Sequence, residues 1–349
     1  MNSSRRQFLN QSGLITAGLC FSPILHKSLM AAIQAPKKFT FEISLAEFSF
    51  APELYTGKMT HMDFPEKAKN DFGISVLEYV SGFFQNKHTD QTYLKELKQR
   101  CDDLGMINHL IMVDGENIAS LDANKRQKAV ESHYPWVDAA KLLACSSIRV
   151  NLGDGMAVLS GKGEEGTPEE AAQAAIEGLG KLAEYAQKVG MNVIVENHFG
   201  YSTNPDWLVG IMKQVNLKNV GLLPDFGNFC SKRSQPETPD IKGFMNTKCL
   251  EEFDRYEGVK KMMPYAKGVS AKTHRFDEQG QDTETDFGKI FQIIKESGWT
   301  GGYVGIEYEG GLLRTMGGDM TCLSSDEGVL VTKKLLEKVR DQLGTKAKK

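Results

Sequence analysis

The sequence has little of what marks several common functional classes. Its six cysteines in 349 residues include no C-x-x-C pair, so no zinc knuckle and no dithiol redox motif is written into it. Five of them, Cys101, Cys145, Cys230, Cys249 and Cys322, lie in the body of the chain, an odd number. A chain this long builds a core without covalent staples, and most of these thiols read as small buried hydrophobes. Cys230 and Cys249 flank an irregular segment, and a bridge between them is left open. Lysine and arginine never run five together, and the net charge is −3. The only basic cluster, Lys346, Lys348 and Lys349, is a solvated tail. Nucleic-acid affinity rests largely on basic patches, so no nucleic-acid role is expected. The stretch from Phe48 to Lys58, after the first apolar run, carries no G-x-G-x-x-G. That weighs against a doubly wound nucleotide-binding sheet. No internal repeat or linker divides the chain.

The first 35 residues differ from the rest. Ser4-Arg5-Arg6-Gln7-Phe8-Leu9 leads into a moderately apolar run, Gly13 to Leu25, too short to span a bilayer. Ala31, Ala32 and Ala35 then precede Pro36. This pattern resembles a twin-arginine export signal, with a membrane-surface helix or a disordered tail as the plainer reading. Residues 1–35 are expected to be a removable leader and the mature protein periplasmic, with no stable membrane insertion.

From residue 36 onward short apolar runs alternate with helical patterns. Eight strands are expected: Phe41–Ala46, Ile74–Tyr79, Ile107–Val113, Ser147–Asn151, Asn192–Glu196, Val220–Asp225, Gly268–Lys272 and Tyr303–Glu307. The clearest helix runs from Pro168 to Val189, with Thr167 as N-cap and Gly190 as terminator. Two more run Tyr93–Leu104 and Phe287–Ser297. Eight strand–helix units predict an α/β fold, a single-domain (β/α)8 TIM barrel over 36–349. An insertion rich in Ser, Pro, Lys and Glu, about 229–247, follows the sixth strand. It reads as a substrate loop or a solvated decoration.

Catalytic residues of such a barrel stand at the C-terminal strand ends. The fifth strand ends Val195-Glu196-Asn197-His198, and the sixth continues Pro224-Asp225-Phe226-Gly227-Asn228. The seventh runs Ser270-Ala271-Lys272-Thr273-His274, and the eighth ends Ile306-Glu307-Tyr308-Glu309. Carboxylates converging on one mouth repel each other, and a divalent cation is the simplest compensation. Singly, each is more often a salt-bridge partner; Glu196, Asp225 and Glu307 together favour a ligand set. Oxygen donors with an imidazole suit Mn, Mg, Co or Zn. Glu196 and His198 share one side of an extended strand, as do Ser270, Lys272 and His274. Lys272 could equally be the ion-pair partner of a barrel carboxylate. His109 reads as structural, and His61, His88 and His133 as loop or helix-surface residues.

The motifs Val-Glu-Asn-His, Leu-Pro-Asp-Phe-Gly-Asn and Tyr-x-Gly-Ile-Glu-Tyr-Glu, in this order, resemble the xylose-isomerase-like barrel superfamily, in its sugar-phosphate isomerase/epimerase branch. The resemblance covers about residues 36–345. It implies one divalent metal ion on Glu196, Asp225, His274 and Glu307. Alignment on Lys272 instead puts Ser270 where the family has its histidine. Asn228 stands where a further histidine is common, which argues against the multi-zinc endonuclease branch. The implied chemistry is proton transfer beside the carbonyl of a small sugar-like substrate, with Glu196 and Glu307 as the acid–base pair. Lys272 or His198 would protonate a departing oxygen if the reaction is elimination. The alternatives are therefore an isomerase or epimerase, a lyase or dehydratase on the same site, and a periplasmic sugar-binding barrel without turnover.

Overall fold

The computed structural model describes residues 38–153, 166–238 and 240–344. The expected leader, with Arg5 and Arg6, lies outside the described residues. Each apolar run seen in the sequence becomes a parallel strand: β1 (Glu42–Ala46), β2 (Val76–Val80), β3 (Ile107–Val113), β4 (Ser147–Val150), β5 (Asn192–Glu196), β6 (Val220–Leu223), β9 (Val269–Thr273) and β10 (Tyr303–Tyr308). These strands are buried on both faces, which is why they read as continuous apolar runs rather than as alternating ones.

The sheet order is β6-β5-β4-β3-β2-β1-β10-β9. Bridges Leu222–Ala266 and Asp225–Ser270 bring the two edges together. The Ser270 amide donates to the Pro224 carbonyl at 2.9 Å, and the Phe226 amide to the Ser270 carbonyl at 3.1 Å. The contact that joins the edges is therefore made by the sixth- and seventh-strand ends that carry candidate site residues.

Among the described residues, one helix of eight or more residues follows each barrel strand: α1 (Phe64–Phe72), α2 (Gln91–Asp103), α3 (Ala123–Leu142), α4 (Pro168–Gln187), α5 (Pro205–Val215), α6 (Arg255–Met262), α7 (Phe287–Glu296) and α8 (Ser325–Gly344). The local causes are those the sequence carries. Thr167 and Glu170 form a reciprocal capping box at the start of α4, with Pro168 in the first turn. Past the end of α4, Gly190 takes φ 73°, a left-handed conformation that glycine adopts without a Cβ penalty. Apolar helix faces pack on the outside of the barrel, as Phe287, Ile290, Phe291 and Ile294 of α7 do, all buried.

The insertion after β6 is more regular than the sequence suggests and longer than 229–247. It forms an antiparallel ribbon of β7 (Cys230–Arg233) and β8 (Cys249–Glu252), with a five-residue helix, Ile241–Met245, between them. Seven of the eight strand residues are exposed, so no apolar alternation announces the pairing. The Cys230–Cys249 disulfide ties the ribbon, and Lys232 pairs with Glu251 at 2.8 Å across it. Cys101, Cys145 and Cys322 are free and buried. The tip of the ribbon turns back over the barrel, where Asn246 Nδ2 donates to the Gly317 carbonyl at 3.0 Å.

Two histidines read as surface residues are instead core groups. His61 is 4% exposed and its Nδ1 lies 2.7 Å from Glu47 Oε1. His133 is 1% exposed with Nδ1 2.7 Å from the Ala129 carbonyl. Both satisfy one ring nitrogen locally, which lets a polar ring sit among apolar neighbours.

Candidate active site

Three strand ends bring Glu196, Asp225 and Glu307 together. One carboxylate oxygen from each lies within 4.8 Å of the other two, and all three side chains are buried. Each is held from a different strand. Glu196 closes β5, where Asn228 Nδ2 donates to its Oε1 at 3.0 Å. Its Oε2 receives no hydrogen bond, although Arg149 Nε stands 2.9 Å away as an ion-pair partner. Asp225 Oδ1 accepts the amides of Gly227 and Asn228 at 2.8 and 2.9 Å. Asn197 ties this corner to β5, accepting the Asp225 amide at 2.7 Å and donating to the Asp225 and Asn228 carbonyls. Glu307 lies on β10 directly beside Lys272 of β9 in the parallel register.

Ser270 bridges two of the three acids. Its Oγ lies 2.7 Å from Asp225 Oδ2 and 2.9 Å from Glu307 Oε2. A hydroxyl has one hydrogen to give, so two ionised oxygens cannot both be satisfied by it. Either a proton sits on one carboxyl or a cation shares the space.

Two cationic side chains border the triad. Lys272 Nζ is 2.9 Å from Glu309 Oε1, 3.6 Å from Glu307 Oε2 and 3.7 Å from Asp225 Oδ2. Arg149, only 3% exposed, pairs with Asp114 at 2.6 Å as well as with Glu196. The acids still outnumber them, and burial pushes carboxyls toward the protonated form. Glu307 is raised to about 7 by burial, against the pull of Lys272 and with added repulsion from Glu309 and Asp225. Burial likewise raises Glu196 well above the carboxylate range, despite Arg149. Lys272 keeps its charge against the cost of burial because four acids surround it.

Of the residues singled out in the sequence, Glu196, Asp225, Glu307 and Lys272 meet here. His198 sits partly buried beside them, held neutral by burial and by Arg149 and Lys272, down to about 3. His274 is placed apart from the triad. Strand β9 ends at Thr273, so its two-residue alternation no longer fixes His274. The ring instead faces Glu284 (Nδ1, 3.4 Å) and Glu309 (Nε2, 3.5 Å). Burial opposes its charge, but these carboxylates win and raise it to about 9.

Three site residues escaped the sequence reading: Arg149, Ser270 as a bridging group, and Glu78. Glu78 lies in the barrel interior, 1% exposed, with Ser44 Oγ donating to Oε1 at 2.5 Å and no partner for Oε2. Gly305 makes room for it, because a Cβ there would sit 2.5 Å from that oxygen. The available signal was an ionisable residue inside an apolar strand, which must find a partner or give up its charge.

Burial raises Glu78 to about 7, and this has a measurable consequence. Between the ordinary 4.5 and about 7 the unfolded chain has lost a proton that the folded chain keeps, so stability falls as pH rises through this window. The expected loss is about 3 kcal/mol. In metal-free protein, Glu78→Gln should have a flatter denaturant-midpoint curve between pH 5 and pH 8 than the parent. Superimposable curves would show that Glu78 is ionised throughout.

The donor set fits a divalent cation. Oxygens bound at about 2.1–2.4 Å to one ion fall within such a spacing of one another, and the doubly engaged Ser270 leaves a place for positive charge between Asp225 and Glu307. Glu196, Asp225 and Glu307 are the residues that would hold it.

The model of the xylose isomerase-like TIM barrel family matches residues 67–324. Solved structures similar to the chain include a D-tagatose 3-epimerase-like protein, with TM-score 0.61 and 15% identity over 86% of this chain and 98% of that one. A xylose isomerase-like TIM barrel protein from Mycobacterium smegmatis in complex with magnesium aligns at TM-score 0.57 and 16% identity, covering 87% and 97%. The probable 3-DHS dehydratase AsbF from Bacillus anthracis aligns at TM-score 0.57 and 15% identity, covering 84% and 98%. At these identities the likeness is one of fold. No curated protein matches the sequence. The family match spans well over half of the chain, and the chain belongs to the xylose isomerase-like TIM barrel family.

Proposed function

We propose that this member of the xylose isomerase-like TIM barrel family is a divalent-metal-dependent isomerase or epimerase of a sugar or keto-sugar, acting by proton transfer beside a carbonyl. The observation that carries the reading is the triad Glu196, Asp225 and Glu307, buried at three strand ends with oxygens within 4.8 Å of one another. A cation bound there supplies Lewis-acid polarisation of a substrate carbonyl. The remaining chemistry belongs to the chain. Glu196 and Glu307 approach from separate strands, and a cation held between them would keep both ionised, as a base must be. One carboxylate removes the proton beside the carbonyl and the other returns it. Asp225, fixed by two backbone amides, holds its place without moving a proton. Among the structural neighbours, the protein solved with magnesium and the epimerase-like protein support this class.

A lyase or dehydratase is the second reading, and Lys272 favours it. Its ammonium lies 3.6 Å from Glu307 Oε2, so an acid stands next to a base. A substrate with a leaving oxygen one carbon further on would lose it with a proton from Lys272, since His198 is held neutral. The dehydratase neighbour supports this alternative. A sugar-binding barrel without turnover would use the same mouth and exchange no proton.

Elemental analysis of protein purified without added metal is expected to find about one divalent ion per chain. Metal-free protein with undiminished activity would refute the reading.

The place of action we propose is the periplasm. The Cys230–Cys249 bridge supports an oxidising compartment. Replacing Arg5→Lys together with Arg6→Lys should hold the protein in the cytoplasm on cell fractionation; an unchanged periplasmic yield would remove the twin-arginine route.

A further inference from the structure

Resting on the metal-centre reading above, we infer that this chain holds its cation by oxygen alone, with the Ser270 hydroxyl as fourth protein donor. The ligand class follows: a hard, oxygen-seeking ion such as magnesium or manganese gains in relative preference over zinc and cobalt.

Four observations carry this. Among the described residues, the only group of three or more acidic, histidine or cysteine side chains spaced to hold an ion is the all-carboxylate triad. Neither nearby imidazole is in it. His274 is engaged between Glu284 and Glu309 at 3.4 and 3.5 Å. His198 packs its ring on Phe199 at 4.0 Å. Second, Ser270 Oγ stands between Asp225 Oδ2 and Glu307 Oε2, the two oxygens it touches. Its single hydrogen goes to one of them, and the hydroxyl oxygen keeps lone pairs to offer a cation. Third, Glu196 Oε2, on a side chain 1% exposed, accepts no hydrogen bond, and the group facing it is the Arg149 guanidinium at 2.9 Å, not an imidazole. Fourth, β9 leaves no room for an imidazole elsewhere on the inward face: Ser270 and Lys272 are its two inward polar residues, both buried, and lysine binds no cation while it carries its own charge.

Donor type decides among divalent ions of similar size. Imidazole adds more to zinc and cobalt binding than to magnesium or manganese binding, whereas carboxylate, hydroxyl and water suit the latter. Serine in place of an imidazole at this position therefore lowers the zinc-over-manganese preference without emptying the site.

The test is spectroscopic and needs no turnover. Chelator-stripped protein is loaded with Mn2+ and examined by pulsed electron paramagnetic resonance, and Mn2+ and Zn2+ affinities are measured by competition dialysis. The parent is expected to bind Mn2+ with no coupling from a directly bound nitrogen. Ser270→His is expected to gain that coupling and to raise the zinc-to-manganese affinity ratio at least about tenfold. Ser270→Ala, which keeps the fold by removing one oxygen, is expected to weaken Mn2+ binding. A nitrogen coupling in the parent that disappears in His274→Gln or His198→Gln would overturn the all-oxygen set while leaving the metal centre standing. Unchanged Mn2+ affinity in Ser270→Ala would overturn the serine donor. A parent that binds neither ion would bring down the metal-centre reading, and this inference with it.

Discussion

Glu307→Gln and Glu196→Gln are each expected to fold as well as the parent and to turn over at least about 10²-fold more slowly, and up to about 10⁴-fold. Glutamine is nearly isosteric with glutamate and keeps a carbonyl oxygen for the neighbouring donors. It cannot accept the substrate proton, and it offers a cation little negative charge. The folded state should not suffer. Both carboxyls are buried among other acids, and burial already pushes both toward the neutral form. A neutral amide relieves that repulsion, so the denaturation midpoint of metal-free protein at pH 7.5 is expected to stay or rise. A structural ion-pair role would behave in the opposite way, because removing one partner of a buried pair costs about 3–5 kcal/mol. Chemical denaturation beside turnover with metal restored separates the two. A large loss of stability with near-normal turnover would make these residues scaffold. The two variants also divide the readings. If each abolishes proton exchange from a different epimer, the epimerase gains; if both abolish loss of a leaving group, the lyase does.

Lys272→Met should show the largest effect on stability. Lys272 is 4% exposed and lies within 3.7 Å of acidic oxygens of Asp225, Glu307 and Glu309. Methionine fills the same space and leaves these acids facing each other across a buried volume. At pH 8 the metal-free variant is expected to lose about 3–5 kcal/mol. The sign of the pH effect follows from Glu307, raised to about 7. Below that value the carboxyl can hold a proton and the repulsion fades, so the loss should shrink at pH 5. Adding a divalent cation at pH 8 should restore part of the midpoint, since the ion replaces the missing charge. Denaturant titrations at the two pH values, with and without magnesium, check all three. A variant as stable as the parent at pH 8 would mean that these acids are neutral with Lys272 present and need no cation.

The eight strands were legible because parallel strands buried on both faces leave uninterrupted apolar runs between capped helices. Glu196, Asp225 and Glu307 were legible because each ends such a run, at the mouth where barrel chemistry is done. Arg149 and Glu78 lie inside strands, at Ser147–Val150 and Val76–Val80, and strand-end reasoning passes over them. Which face of a fully buried strand a residue takes is decided by the barrel's register, and no alternation in the run reports it. His274 lies outside the triad for a related reason. The alternation used to place it holds only while the strand lasts, and the strand stops one residue earlier. The ribbon after β6 was read as irregular because both of its faces meet solvent, so its pairing rests on backbone hydrogen bonds and a disulfide rather than on a hydrophobic pattern.

Proton transfer beside a substrate carbonyl is the work we propose for the strand-end acids. Its most direct test is deuterium uptake. Magnesium-loaded protein is incubated in D2O with a panel of ketoses and 3-keto-glycosides, and each sugar is weighed by mass spectrometry. The expected result is one deuteron gained at the carbon next to the carbonyl of at least one sugar, with the gain lost in Glu196→Gln, in Glu307→Gln or in both. Protein that holds its metal and its fold yet exchanges no proton with any member of the panel would contradict the claim and leave a binding barrel in its place.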